Sequence, residues 1–579
     1  MRHKPISVLA ALAVSACGST TPPAGDPSAQ DGNATNAFVP DVPSWRGGCF
    51  FDGPSGKIVN ASPSPDVRLF GGACATPASP GGIVFLDRHD PVTGTGDVAV
   101  LSADPGSVPV VVGPSGGAGG LIPGGTGARL NDAQTRLLTL SSVSFVTGQL
   151  VLVDLPRAAS PQTIASGVRV ENYDFLPGDR ALFVGDYSAT SRTGNLYYWP
   201  GAGSPQLIAS QIARFDFNMY RLSPDRTRVA YLTSFTSIDG GNLFVQTLPP
   251  GAAATPVDTR VAGLSWTPDG RHLVYLVQEI GAPTFSLRVW DEAGATSTVQ
   301  GGVNRAVLAG DQLLYLTGWS ILAQQGTLHR RGVTDGADSF TATGASREYA
   351  ALAPQGLAGG ALAFTLLPSA SDPFVGDLHL TSLAGAGGSV GQPADTGISP
   401  AAGFSFSPTG RFVVYAKGFE QPQAAGSASP QPGIAREIWA APTEGGSAPF
   451  LLASGGSFQW FVWDPHENLV GALSEFAPAL GSGTLVVRDT AGNALFSQPR
   501  VGSTGFEFGD DGSVLALLRD WDDALQRGEL AAAATAGAQA WQPAALDRDV
   551  TFYLQPRGKR IVYGVRGGGR DGLWLGTAP

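Results

Sequence analysis

The chain has 579 residues, of which 43% are apolar and only 14% charged, and a net charge of −11. Its length exceeds the about 100–200 residues usual for one domain, and its apolar content excludes a broadly disordered chain. The acidic charge lies in no long run, and without a basic stripe to displace phosphate counterions a nucleic-acid partner is excluded.

Residues 1–17, "MRHKPISVLAALAVSAC", begin with Arg2 and Lys4 and continue in an apolar run from Ile6 to Val14. The run is too short to span a bilayer stably and reads as an export signal. It ends in Val14, Ser15 and Ala16 before Cys17. This resembles the lipobox of bacterial lipoproteins. The resemblance implies that residues 1–16 are removed, that Cys17 takes a diacylglyceryl group, and that its new amino group is acylated (a palmitate-type anchor). Several acyl chains give stable membrane attachment where one is marginal. Gly18 in place of Asp implies the outer membrane, so the expected location is the bacterial cell envelope, on its periplasmic or surface face. Residues 17–43 are dominated by Pro, Gly, Ser, Thr and Asn after the lipidated Cys and read as a flexible tether.

Residues 44–78 follow, a Gly- and Pro-rich segment that contains Cys49 and Cys74. An even pair of thiols in an exported chain points to a disulfide between them. Their C-x24-C spacing is not a metal spacing, and no second thiol pair exists.

From residue 79 a phrase recurs: "YDFLPGDR" (173–180), "YRLSPDRT" (220–227), "LSWTPDGR" (264–271), "FSFSPTGR" (404–411), "FEFGDDGS" (506–513) and "FYLQPRGK" (552–559). Pro presets a turn, Asp can bond its own backbone, and Gly takes positive φ at low cost. An apolar triplet follows, with Phe85, Phe183, Tyr231, Tyr275, Tyr315, Phe364, Tyr415 and Tyr563 in its third place and Thr139, Gly471 and Ala516 there in three weaker units. Eleven units at a period of about 48 residues result, which is a propeller-blade period. A third stretch opens on Gly, as in "GNLYY" (194–198), "GNLFV" (241–245) and "GTLVV" (483–487), and a fourth follows a small turn. Four short strands per unit make a four-stranded antiparallel blade. In "RHLVYLV" both Leu273/Tyr275/Val277 and Val274/Leu276 are apolar, so the strand is covered on both faces, as in stacked blades. The fold expected is all-β, a β-propeller.

Pro224-Asp225 and Pro268-Asp269-Gly270 resemble the repeat of TolB-type, WD40-like propellers. The resemblance covers roughly residues 79–579 and implies a fold; one propeller scaffold hosts many activities. Eleven units exceed the four to eight blades of common rings. Two rings in tandem, 79–345 with units 1–6 and 346–579 with units 7–11, are therefore the first expectation, and one large ring is the alternative. The last unit ends after its third strand, and "GKIVNAS" (56–62) is the candidate for its fourth.

Chemistry is sparse. His89, His272, His329, His379 and His466 fall in different units, and only His329 and His379 occupy equivalent places in successive ones. "GPSGG" (113–117) matches a nucleophile-elbow pattern but sits in a Gly-rich run without strand-turn-helix context. Asp520, Asp522 and Asp523 cluster in "RDWDD" and read as a solvated acidic loop rather than a Ca²⁺ site. No catalytic residue, metal or cofactor is therefore expected. The function expected is a membrane-anchored, non-catalytic scaffold for protein binding whose partner is an envelope protein or a glycan. A propeller hydrolase or lyase with its site at the central opening is the alternative. Loops between second and third strands are the expected binding elements, the longest being residues 418–437.

Overall fold

The structure, a computed structural model, describes residues 56–59, 68–73, 82–90, 95–102, 110–117 and, from 128 onward, all but a set of loops, the longest of them 353–359, 367–374, 384–391 and 421–433. The strands are antiparallel and group by four into blades, whose strands are lettered a to d in chain order. Blade 1 is Arg68–Ala73, Gly82–Asp90, Thr95–Ser102 and Val110–Gly117. Blade 2 is Ala128–Leu130, Arg136–Ser144, Thr147–Asp154 and Gln162–Arg169. Blade 3 is Tyr173–Leu176, Arg180–Ser188, Thr193–Trp199 and Gln206–Ala213.

Blades 4 to 7 share strands. Blade 4 starts with Tyr220–Leu222, Arg228–Thr236 and Gly240–Thr247. Thr255–Trp266 is its d strand and then the a strand of blade 5; Thr296–Ala309 and Phe340–Leu352 do the same for blades 5/6 and 6/7. Between these shared strands lie the b and c strands His272–Gln278 and Phe285–Asp291, then Gln312–Ser320 and Gln325–Gly332. Blade 7 is completed by Ala361–Leu366, Gly376–Ser382 and Asp395–Ile398. The boundary expected at 345/346 falls inside Phe340–Leu352.

Blade 8 runs from Ser405–Phe406 through Phe412–Glu420 and Ile434–Pro442 to Phe450–Ser457. Blade 9 runs from Phe461–Trp463 through Leu469–Ala477 and Ser482–Asp489 to Ala494–Gly502. Blade 10 contains Phe506–Phe508, Val514–Asp522 and Arg527–Ala534, and shares Ala544–Tyr553 with blade 11. Blade 11 continues with Arg560–Val565 and Gly572–Thr577, and its d strand is Gly56–Val59, paired antiparallel to Gly572–Thr577. The closing strand thus comes from the segment the sequence points to. Blade 1, by contrast, takes its a strand from upstream of residue 79, because "RLFGGACATPASPGG" has no compact turn phrase to mark it.

Buried side chains join each blade to the next. Ala230, Leu232 and Val245 of blade 4 pack with Leu264, Trp266, Leu273 and Tyr275 of blade 5; Leu138 and Leu150 of blade 2 pack with Tyr173, Phe183 and Trp199 of blade 3. Tyr275 and Tyr415 are fully buried, as their place in the repeat predicts. In the two weakest units the strand register puts Ala472 and Leu517 in that place, one residue beyond Gly471 and Ala516, because they pair with Phe461 and Phe506 as Tyr275 pairs with Leu264.

The repeat phrase is the a–b turn. The Thr267 hydroxyl donates to Asp269 (2.6 Å) and accepts from the His272 N–H (3.0 Å), while the Arg271 N–H donates to Asp269 (3.0 Å). Gly270 lies at φ +68°. Ser223 with Asp225 repeats this arrangement, and Ser407 accepts from the Phe412 N–H. Where a c strand opens on Gly, that Gly is a packing requirement. A Cβ there would lie 2.7–3.0 Å from a b-strand carbonyl, of Thr317 for Gly326, Ser474 for Gly483, Arg519 for Gly528 and Thr233 for Gly241.

Candidate functional site

Antiparallel order puts the a–b and c–d turns at one end of every blade and the b–c turns at the other. The a–b end is stitched together. Asn131 of blade 2 bonds Asp179 of blade 3 (2.8 Å), and Arg226 of blade 4 reaches Asp132 of blade 2 (2.7 Å). Arg228 of blade 4 donates to the Gly270 carbonyl of blade 5 (3.0 Å). Ser407 and Thr409 of blade 8 both donate to buried Glu467 of blade 9 (3.0 and 2.7 Å). The Gly558 N–H of blade 11 donates to Asp510 of blade 10 (2.9 Å).

The b–c end is built differently. Toward the end of strand b the chain takes a positive-φ residue at Ser142, Asp186, Ser234, Gly318, Gly418, Glu475 and Asp520. Most of these sit at a break in the b–c register, and such bulges re-aim the strand. Strand d repeats the device at Gly167, Gln211, Arg260, Gly302, Gly344, Gly397, Gly455, Arg500 and Asp549. Beyond the b bulges the hairpin tips expose aliphatic side chains: Ile280 is 87% exposed, Leu322 93%, Leu480 61% and Leu525 49%. The two longest b–c connections, in blades 7 and 8, also belong to this end; residues 421–433 of the loop expected to bind lie outside the described residues.

The inner wall is uneven. The middle a-strand positions carry Arg129, Asp174 and Arg221 in blades 2 to 4, then Ser265, Val307, Ser405 and Val462, and Glu507 in blade 10. Asp174 accepts from the Tyr220 hydroxyl (2.6 Å) and lies 3.6 Å from the Arg129 guanidinium. Burial raises the Asp174 carboxyl above its usual range against the opposing pull of Arg129, Tyr220 and Arg226. The same burial and the neighbouring carboxylate push the Tyr220 hydroxyl well up. These groups bind one another across blades 2 to 4.

The residues singled out by sequence are dispersed. Cys17, Cys49 and Cys74 lie outside the described residues. His329 stacks on Tyr315 of its own blade and bonds Asp338 (2.9 Å) and Thr317 (2.9 Å), while His379, one blade on, likewise stacks on Phe364 of its own blade. The equivalent histidines therefore do not meet, and no cluster of three metal-ligating side chains occurs among the described residues. "GPSGG" lies in the d strand Val110–Gly117. Asp522 caps its own turn through the Ala524 and Leu525 N–H groups, and Asp520 faces Arg500 at 3.5 Å. Sequence reasoning missed the hydroxyl before Pro that closes the a–b turn in blades 4, 5 and 8, and the paired bulges; only the former has a legible signal, Ser or Thr before Pro.

No protein-family model matches the chain, and no curated protein matches it. Solved structures do resemble it. Porphyromonas gingivalis dipeptidyl peptidase 4 is 13% identical with a TM-score of 0.36, over 70% of this chain and 66% of that one. TolB from Agrobacterium tumefaciens is 14% identical with a TM-score of 0.23, over 37% of this chain and 80% of that one. TolB from Acinetobacter baumannii is 11% identical with a TM-score of 0.23, over 62% and 77%. By its blades the chain is an all-β protein of the β-propeller class.

Proposed function

We propose that the protein is a lipid-anchored scaffold of the bacterial envelope that binds an envelope protein or a glycan, without catalysis, through the b–c end of its blades. The variable loops and most exposed tips of the b–c end carry this reading. Loops presented on a rigid frame are where binding residues collect. Side-chain ties between blades occur at both ends, but the b–c end has the longest loops and the most exposed aliphatic tips, Ile280 and Leu322. The eleven blades are read as one circuit: Gly56–Val59 closes blade 11 and leads on to the a strand of blade 1, as every other d strand leads to the next blade.

The chain path sets an orientation. Gly56–Val59 runs as a d strand, so its first residue is at the a–b end. Cys17 lies upstream of it. In this reading the tether from Cys17 therefore joins the fold at the stitched end. The alternative, an enzyme at the central opening, is favoured by Asp174 and Tyr220 alone; their mutual hydrogen bond across blades argues for a tie between strands.

The anchor is tested by Cys17→Ser. The variant is expected to remain uncleaved and to take up no fatty-acid probe in cells; label on the variant contradicts the anchor assignment.

A further inference from the structure

The blades repeat one geometry, so each serves as a control for the others. In several blades both bulges carry side chains. Blade 3 has Asp186 and Gln211 at its b and d bulges, blade 4 Ser234 and Arg260, blade 9 Glu475 and Arg500, and blade 10 Asp520 and Asp549. Blade 5 has no break in its b–c register, and the Glu279 carboxylate there accepts from the Gly302 N–H of the d bulge (3.0 Å), Thr284 (2.6 Å) and Ser286 (3.0 Å). In blade 8 both bulges are Gly, and the Arg436 side chain packs against Gly418. Blade 6 also has Gly at both bulges, Gly318 at φ +61° and Gly344 at φ +81°. A Cβ at Gly318 would meet nothing within 4 Å among the described residues, while one at Gly344 would lie 3.4 Å from the Gln325 amide oxygen. What remains is a notch of about 280 Å³, lined by Gly318, Ser320, Gln325, Thr327, Thr343 and Gly344.

We propose that this notch binds one uncharged, hydroxyl-rich sugar unit. It is a shallow recess open to solvent, with room for a single ring. No charged residue lines it, so it offers nothing to neutralise an ionic ligand. It is not inert either. Among the described residues the side chains of Gln325, Thr327 and Thr343 form no hydrogen bond, so an amide and two hydroxyls converge on the space with their capacity unspent. A side-chain amide both donates and accepts, as does a hydroxyl, which is the complement of a neutral polyol. Ala323 adds the apolar side chain of the lining, and Ile321 and Leu322, 64% and 93% exposed, stand at the tip of the same hairpin.

The inference rests on the b–c end being the binding end and names a ligand for it. The test is ligand-observed saturation-transfer NMR on the full chain in detergent, with glucose, galactose, mannose and N-acetylglucosamine as free sugars, maltotetraose as a chain-borne one, and glucuronate as the charged control. Response from the free sugars assigns a free ligand; response from maltotetraose alone assigns a glycan. The fold tolerates Gly318→Asp, because Asp186 and Asp520 hold Asp at the same bulge with φ +50° and +51°. Transfer to at least one neutral probe is expected, at least tenfold above that to glucuronate, and Gly318→Asp is expected to lower it at least tenfold with the melting temperature unchanged. Gln325→Ala, which fills nothing, is expected to weaken it several-fold. Absence of wild-type transfer to every neutral probe overturns the proposal, and so does a response that both variants leave intact. Crosslinking from the b–c tips reports on the scaffold separately, so a missing sugar response beside retained crosslinks removes the notch and not the scaffold.

Discussion

Asp269 belongs to a turn that holds it as a carboxylate. Burial raises its pKa, but hydrogen bonds from Thr267 and the Arg271 N–H outweigh this and leave it below the usual range; Asp225 is held down in the same way by Ser223 and Thr227. A carboxyl lowered in the folded state stabilises the fold above its unfolded pKa, and that contribution is lost as pH falls through the lowered folded value. Asp269→Asn is therefore expected to melt below wild type at pH 7, with the gap closing below about pH 4. Melting curves across that range check it, and a gap that stays constant to pH 2 contradicts it. Gly483 makes the steric counterpart. A Cβ there would sit 2.8 Å from the Ser474 carbonyl, so Gly483→Ala is expected to cost about 1–3 kcal/mol. Gly336, where a Cβ meets nothing within 4 Å, is expected to accept Ala within about 0.5 kcal/mol. Equal effects in denaturant titrations would refute the packing account. At this scale the Pro-Asp-Gly turns and the buried tyrosines were legible, because turn chemistry and burial both select residue type. The bulges were not: Ser234, Glu475, Arg500 and Asp549 hold positive φ through strand pairing, which leaves no mark on composition.

At the scale of elements, a four-strand unit is legible wherever a turn phrase separates strand a from strand b. It fails at Arg68–Ala73, which has no such phrase; at Thr255–Trp266, Thr296–Ala309 and Phe340–Leu352 the unit is legible but the boundary between blades is not, because one strand serves two blades and no loop marks the change. The closing strand was legible from a deficit, since the last unit is one strand short. Removing Gly56–Val59 would leave the Gly572–Thr577 edge unpaired, and an open edge templates association with other chains. Deletion through residue 60 is expected to give concentration-dependent oligomers in sedimentation velocity, where the intact chain gives one species. A deleted chain that remains a stable monomer would show that this strand does not close the molecule.

For the whole molecule the two ends differ in degree: both carry ties between blades, through Asn131, Arg226, Arg228 and Glu467 at one and Arg305 and Ser474 at the other, but the longest loops and the most exposed aliphatic tips, Ile280 and Leu322, are at the b–c end. Sequence placed binding on the b–c loops from their variable length, but could not show that the opposite end is bound up in side-chain ties, because those ties join residues as far apart as Asp132 and Arg226. The most direct measurement is site-specific photo-crosslinking in intact cells. A photoreactive residue would be placed in turn at Leu322 and Leu525 on the b–c end, and at Arg271 and Lys559 on the a–b end. The account predicts a discrete, saturable product from both b–c positions and none from the a–b positions. Discrete products from Arg271 or Lys559, with none from Leu322 and Leu525, would contradict it.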